Sequence, residues 1–266
     1  MDLSGKVCVI TGASSGIGKS LSIKFASRGA SVVLAARRNS KLTSIIDKIK
    51  QSGGNAIGIK TDITKNIECK NLIDETLDQY GRIDLLLLGA GVSMWTPFEK
   101  ISDISFFKDV MDTNYTGAVH CIHAALPHLI SSKGMVVTCS TAQAIVGFTN
   151  HSGYAASKHA LHGFLDTLDM ELDGKVLFLE AFLGWIRGTN MRSNAFGPGG
   201  KKMGKTKRKH SKNSIDVNEC TDRIIQAIID NKKTVYIPWK LRLIPILDLF
   251  FGNYLRKKIT KAVNSE

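Results

Sequence analysis

The sequence predicts a doubly wound α/β fold built on one parallel sheet. Seven short apolar runs punctuate the chain: VCVIT at 7–11, SVVLAA at 31–36, NAIGI at 55–59, IDLLLL at 83–88, MVVTCS at 135–140, KVLFLEAF at 175–182 and TVYI at 234–237. Continuous rather than alternating apolar runs mark strands buried on both faces, the condition of a parallel sheet. Between them lie segments of helical period at 15–29, 38–52, 64–80, 101–130, 152–172 and 217–231. Strand–helix alternation with right-handed crossovers then covers both faces of the sheet with helices. The length, 266 residues, suits one such domain and is short for two average domains with a linker. Residues 1–239 read as that domain and 240–266 as its basic C-terminal tail.

The composition, 43% hydrophobic and 22% charged, is that of a soluble globular protein. The five cysteines are scattered, with no CxxC pair and no metal spacing, which fits a reducing compartment and predicts no metal site. The chain opens on a strand, so neither signal peptide nor N-terminal anchor is expected, and no uncharged apolar stretch is long enough to span a bilayer. A cytoplasmic protein is expected. The net charge of +13 is concentrated: residues 201–212 alone hold seven Lys or Arg. Such a balance points to nucleic acid, an anionic membrane surface or an anionic ligand. No recognition motif or interleaved aromatic accompanies the charge, so specific nucleic-acid binding is not expected. The Gly- and Lys-rich piece at 197–212 reads as a mobile, solvated loop.

The first strand ends in Thr11-Gly12-Ala13-Ser14-Ser15-Gly16-Ile17-Gly18 and a helix follows. Glycines at 12, 16 and 18 permit a tight turn and close backbone approach, and the helix N-terminus offers free N–H groups to a pyrophosphate. A lone glycine triplet is weak evidence. Its place between a first strand and a first helix is what makes it specific. The second strand ends in Ala36-Arg37-Arg38, where an NAD site ordinarily carries an acid for the ribose hydroxyl. Two guanidiniums and no carboxylate favour an adenosine 2′-phosphate, hence NADP(H).

Tyr154-Ala155-Ala156-Ser157-Lys158 opens the predicted helix at 152–172. Residues four apart share a helix face, so an ammonium lies one turn from a phenol and favours its phenolate. Tyr154 then exchanges a proton nearer neutral pH than a free phenol does.

With TGASSGIG at 11–18, Asp62-Ile63 after the third strand, Ala90-Gly91 after the fourth, Asn114 on the next helix, a hydroxyl residue after the fifth strand, and YAASK at 154–158, the chain resembles the short-chain dehydrogenase/reductase family. The order holds over residues 5–240. MDTNYTGAV and YAASKHALHGFLDTLDMEL are most similar to the hydroxysteroid dehydrogenase-like branch. The resemblance implies a Rossmann-type sheet, Tyr154 as acid/base, Lys158 supporting it and holding the nicotinamide ribose, Asn114 holding a relay water, and a serine orienting the carbonyl. Thirteen residues before Tyr154 stands Thr141, with Ser140 beside it, so Thr141 takes that role and Ser140 is second choice. The family's Asn-Asn-Ala-Gly is Leu88-Gly89-Ala90-Gly91 here, so whatever braces the sheet at this point is replaced. After the sixth strand comes Leu183-Gly184-Trp185-Ile186-Arg187-Gly188-Thr189. The family's carboxamide-binding threonine falls on Gly188, one place before Thr189, and Ile186 and Thr189 are the cofactor candidates there.

Family members shape the substrate pocket with the segment here at 185–216, and Trp185, Met191, Phe196, Trp95 and Phe98 are candidates to line it. The tail at 240–261 repeats apolar residues at three- to four-residue spacing (Leu241, Ile244, Leu247, Phe251, Tyr254 or Leu255, Ile259), with Lys and Arg at its ends. It is a helix packed on the domain or a partner copy, or one lying in an anionic membrane interface. Pro245 is expected to kink it and Gly252 to loosen it. The combined expectation is an NADP(H)-dependent oxidoreductase acting on a carbonyl or secondary alcohol, with a lipophilic substrate, a dimeric or tetrameric assembly through 101–130 and 152–172, and a peripheral membrane contact. The alternative is a catalytically silent NADP(H)-binding sensor or scaffold.

Overall fold

A computed structural model describes residues 1–204 and 214–264. Six strands and six helices alternate through the first two thirds of the chain: β1 (Val7–Thr11), α1 (Gly16–Ala26), β2 (Ser31–Ala36), α2 (Asn39–Gln51), β3 (Asn55–Lys60), α3 (Asn66–Tyr80), β4 (Leu85–Leu88), α4 (Phe106–Met111), α5 (Gly117–Ser132), β5 (Met135–Thr141), α6 (Ser152–Leu172) and β6 (Leu177–Leu183). Two short strands, β7 (Ile186–Arg187) and β8 (Ile215–Asp216), precede α7 (Val217–Ile229), β9 (Thr234–Ile237) and α8 (Ile244–Asn264). All seven long strands run parallel in the order β3-β2-β1-β4-β5-β6-β9. The order reverses between β1 and β4, and the crevice outside the strands' carboxyl ends at such a point is where α/β sheets bind ligands.

The sheet divides the core into two layers. Leu21 and Phe25 of α1, Leu42 and Ile45 of α2, and Ile224 and Ile228 of α7 pack one face with Ile10, Leu34, Leu87 and Val137. Leu72 of α3, Ile122 and Leu129 of α5, and Leu161 and Leu165 of α6 pack the other with Val9, Val33, Leu86 and Val136. The central strands are buried on both faces as the sequence predicts. The two edge strands are not: Asn55, Gly58 and Lys60 of β3 and Thr234 of β9 are exposed. Only strands with neighbours on both sides are sealed completely.

Four sequence expectations change. The helix foreseen at 101–130 begins at Phe106 and is interrupted by a π-helical turn at Asp112–Thr116 before α5 continues to Ser132. Pro245 does not kink α8, because it lies in the first turn, where a missing N–H costs nothing; the break falls instead at Phe251, whose φ of −136° and ψ of 35° precede Gly252. Of the tail's apolar stripe, Ile244, Leu255 and Ile259 pack with Val263 on Ala142 and Val146, with Leu241 and Leu247 against them, while Phe251 and Tyr254 stay exposed. Of the segment at 197–212, residues up to Gly204 are held by main-chain pairing rather than free, and 205–212 lie outside the described residues.

Candidate active site

The glycine-rich turn is built by close packing of backbone. Gly12 has φ of +66°, and a Cβ there would stand 2.7 Å from the backbone of Ala90; one at Gly18 would stand 2.7 Å from the carbonyl oxygen of Gly12. The first turn of α1 has no side-chain cap from Ser15, so its N–H groups face the crevice unengaged by side chains. This is a cradle for a pyrophosphate, and the residues present fit a dinucleotide. Thr189 reaches the cradle: a Cβ at Gly16 would lie 3.5 Å from its side chain, and its hydroxyl donates to the carbonyl of Ile186 at 3.2 Å. Gly188, with φ of +83°, makes the turn that aims Thr189 inward.

The bracing absent from Gly89 is supplied by Thr11. Its buried hydroxyl accepts from the N–H groups of Gly89 and Ala90 at 3.1 and 3.3 Å and donates to the carbonyl of Leu87 at 3.2 Å. One side chain thus ties the end of β1 to the end of β4. At the adenosine end, Arg38 Nη2 donates to Ser14 Oγ at 2.9 Å, with Ser15 Oγ at 3.5 Å. Asp62 accepts from the N–H and hydroxyl of Thr64, beside the buried Ile63.

Tyr154 and Lys158 share one buried face of α6. Lys158 Nζ donates to the carbonyl of Cys139 at 3.1 Å and lies 5.9 Å from the centre of the Tyr154 ring. The sequence argument expects the phenol to ionise more easily beside this ammonium. Burial dominates instead: it pushes the Tyr154 phenol above its usual range, with Cys139 adding to the rise, and holds Lys158 below the usual lysine range. The Cys139 thiol is itself pushed up to about 11 by burial, so it is not a nucleophile.

Asn114 sits within the π-helical turn, 2% exposed. Its side chain is fully committed: Oδ1 accepts from Val92 N–H, and Nδ2 donates to the carbonyl of Val92 and to Ser157 Oγ, each at 2.9 Å. Only its backbone carbonyl remains for a relay water, and a π-helical turn is where a carbonyl loses its ordinary partner.

Thr141 ends β5, and its hydroxyl accepts from Gln143 N–H at 3.4 Å. Strand alternation puts it on the same side as Cys139, which lies within electrostatic reach of both Tyr154 and Lys158. Ser140 points to the opposite side, 4% exposed.

The substrate candidates separate. Phe196 is buried in one cluster with Tyr154, Met94, Phe106 and Val110. Trp95 lies edge-on to His151 at 4.7 Å, with the Arg192 guanidinium 4.6 Å above its ring. Trp185 is partly buried and its carbonyl accepts from Ile215 N–H. Met191 and Phe98 are 40% and 65% exposed, and the structure does not bring them to the others. Sequence reasoning missed His151, Gln143, Met94 and Arg192. Two carried a signal: His151 stands one helical turn before Tyr154, and Gln143 one strand repeat after Thr141. Gln143 Oε1 is buried without a donor among the described residues, and burial holds His151 below the usual histidine range.

A Gly-built dinucleotide cradle at a switch point, with a Tyr–Lys pair on the helix beside it, defines the class of nicotinamide-dependent α/β folds. The chain belongs to the short-chain dehydrogenase family: the family described as "short chain dehydrogenase" matches residues 6–197, and the relatives place the chain in the hydroxysteroid dehydrogenase-like branch. It is 40% identical over 176 residues to the Arabidopsis thaliana protein named 11-beta-hydroxysteroid dehydrogenase 1A, covering 66% of this chain and 50% of that protein. It is 33% identical over 268 residues to 11-beta-hydroxysteroid dehydrogenase-like 5 of the same plant, covering 100% of this chain and 69% of that protein. The chain therefore spans about half the length of several of its relatives. Among solved structures, a short chain dehydrogenase/reductase from Burkholderia phymatum in complex with NAD superposes with a TM-score of 0.79 at 21% identity, covering 95% of this chain and 96% of that one. An alcohol dehydrogenase from Thermococcus sibiricus complexed with 5-hydroxy-NADP gives 0.73 at 21% identity, covering 87% and 95%. These two share the fold.

Proposed function

We propose that the protein is an NADP(H)-dependent oxidoreductase that interconverts a carbonyl and a secondary alcohol on a lipophilic substrate. The observation that carries this reading is the buried Tyr154–Lys158 face, anchored by Lys158 to the end of β5 beside the uncapped start of α1. The bound nicotinamide supplies or takes up the hydride. In the reducing direction, Tyr154 Oη gives its proton to the carbonyl oxygen, and the Thr141 hydroxyl donates a hydrogen bond to that oxygen. Lys158 would hold the nicotinamide ribose and return a proton to Tyr154, and a water held at the backbone carbonyl of Asn114 would resupply Lys158. Gly12, Ser14, Ser15, Gly16, Ile17, Gly18 and Thr189 hold the pyrophosphate. Asp62, Ile63, Gly89, Ala90 and Gly91 flank the adenosine and nicotinamide ribose. Trp185 and Phe196 border the substrate.

The preference for NADP(H) rests on Arg37 and Arg38 in place of an acid, with Arg38 already bonded to Ser14. The lipophilic substrate and the membrane contact rest on α8. Ile246, Leu249, Phe250, Phe251 and Tyr254 are exposed, and Lys240, Arg242, Lys257 and Lys258 flank them, an arrangement suited to an anionic bilayer surface. No described helix is long and apolar enough to cross a membrane. A dimer or tetramer through α4, α5 and α6, as in the family, belongs to the same reading, as does a cytoplasmic, peripherally membrane-bound location.

Titration with NADPH and NADH, followed by a screen of steroid, retinoid and fatty carbonyl substrates, tests it. Selective NADPH binding with turnover of one class supports the proposal. Equal affinities remove the 2′-phosphate assignment, NADPH binding without turnover of any substrate moves the weight to the silent NADP(H)-binding scaffold, and absence of binding to either overturns both readings.

A further inference from the structure

A second recess lies between α6 and the β5-β6-β9 side of the sheet. Thr138 of β5, Glu180 of β6, and His162, Asp166 and Asp169 of α6 line a cavity of about 130 Å³, with Lys233 beside them. None of the residues assigned above to the cofactor or the reaction lines it. Thr138 and Glu180 are register partners on adjacent parallel strands, so their side chains leave the sheet side by side on one face. Glu180 spends only one carboxylate oxygen: Oε2 meets His162 Nδ1 at 2.7 Å, while Oε1 is buried without a partner among the described residues. Thr138 is 2% exposed, and its Oγ1 is likewise buried without a partner among them. Two neighbouring oxygens thus line one cavity with hydrogen-bonding capacity unspent, which is unfavourable unless an occupant meets it.

The charge around these oxygens selects the occupant. Lys233 Nζ is bonded to Asp169 at 2.7 Å, and Asp166 stands exposed at the mouth. Three carboxylates outnumber Lys233 and His162 even with the imidazole protonated, so an anion is repelled. A metal ion is not suited either: no three His, Cys, Asp or Glu side chains among the described residues converge closely enough to hold one. The remaining walls, Val136, Leu165 and Phe178, are apolar. A few polar groups set in an apolar recess suit a small organic ligand with a charged head. We propose that this cavity binds a primary ammonium group on a short aliphatic stem, its N–H groups donating to Glu180 Oε1 and Thr138 Oγ1 and its stem lying against the apolar wall. A free alkylamine and a lysine side chain of another chain present the same chemistry. The inference does not depend on the NADP(H) reading. The competing occupant is water, for which the volume is also sufficient.

The probes are propylammonium, tetramethylammonium, which has the charge without N–H groups, and n-propanol, which has the stem without the charge. Amide NMR titration of the full chain should show saturable shifts at Thr138, His162 and Glu180 with propylammonium. Binding of the other two should be about tenfold weaker or more. Thr138→Val, which keeps the side chain's shape, should weaken propylammonium about three- to tenfold, and Glu180→Gln about tenfold. Should Glu180→Gln fail to fold, Asp166→Asn at the exposed mouth should still weaken it about twofold. Blocked lysine, the Nα-acetyl methylamide, separates the sources: binding equal to propylammonium supports a lysine of another chain, and weaker binding supports a free amine. Absence of saturable shifts overturns the proposal and leaves the cavity to water. Equal binding of tetramethylammonium or n-propanol overturns it too, since the N–H groups or the charge would then count for nothing. So does unchanged affinity in Thr138→Val and Asp166→Asn, which would place the amine elsewhere.

Discussion

Asn114 Nδ2 donates to Ser157 Oγ at 2.9 Å, and Ser157 Oγ in turn donates to the carbonyl of Tyr154 at 2.8 Å. The π-helical turn and the helix bearing Tyr154 are therefore one hydrogen-bonded unit. Asn114→Ala strands the N–H and carbonyl of Val92 in a half-buried place, at about 1–3 kcal/mol. Ser157→Ala loses less, about 1 kcal/mol, because it removes a donor without orphaning Val92. Urea unfolding of the two variants checks the order; an equal or smaller loss for Asn114→Ala would contradict it.

Tyr154→Phe should lower turnover by about 10²–10⁴-fold, the usual contribution of a positioned proton donor, and leave NADPH affinity close to wild type. Steady-state kinetics beside a fluorescence titration separates the two effects. Wild-type turnover in this variant would remove Tyr154 from the chemistry.

The side of β5 on which each hydroxyl lies predicts a contrast between neighbours. Thr141→Val should lower kcat about 10²–10³-fold and Thr141→Ser should restore most of it. Ser140→Ala should leave kcat near wild type, since that side chain lies on the other side of β5 from Thr141 and Cys139. The opposite ranking assigns the role to Ser140.

His162 Nδ1 lies 2.7 Å from Glu180 Oε2, and this bond, with Asp166 nearby, raises the His162 pKa above the usual 6.5. The folded state holds that proton more tightly than the unfolded chain. The resulting stability is complete below about pH 6.5 and is lost as pH rises through the higher folded value. His151 runs the other way: burial lowers it, so its share is present above 6.5 and lost as pH falls. Melting temperatures at pH 6 and pH 8 should therefore drop more for wild type than for His162→Gln. Identical drops would mean that the pair contributes nothing.

Leu249 and Phe250 are 77% and 70% exposed, so Leu249→Glu with Phe250→Glu should change stability within about 0.5 kcal/mol per site. The same double variant should lose sedimentation with phosphatidylserine vesicles at low salt. Retained sedimentation would take the membrane contact away from α8.

The strands were legible because uninterrupted apolar runs between glycines and polar turns leave no alternative, and β1, β2 and β9 begin and end where the composition changes. Tyr154, Lys158 and the 11–18 turn were legible because their spacing is local. The π-helical turn was not: DTNYT has no pattern that separates it from an ordinary helical turn, and the extra residue is accommodated by the tertiary bonds of Asn114. Nor was the main-chain pairing of Met94 with Phe196, which joins residues about a hundred positions apart. The burial of His151 against Trp95 and Tyr154 is tertiary in the same way.

The segment over the crevice is fastened by peptide groups, Phe196 N–H to the Ser93 carbonyl, Trp95 N–H to the Phe196 carbonyl and Ser102 N–H to the Pro198 carbonyl, with the Phe196 ring set in the buried cluster of Tyr154, Met94, Phe106 and Val110. A closure written in peptide groups is indifferent to what the neighbouring side chains are. An exposed position such as Met191 can therefore drift under selection for new substrates without unfastening the cover, and a lineage can change its chemistry's target while inheriting the same backbone frame.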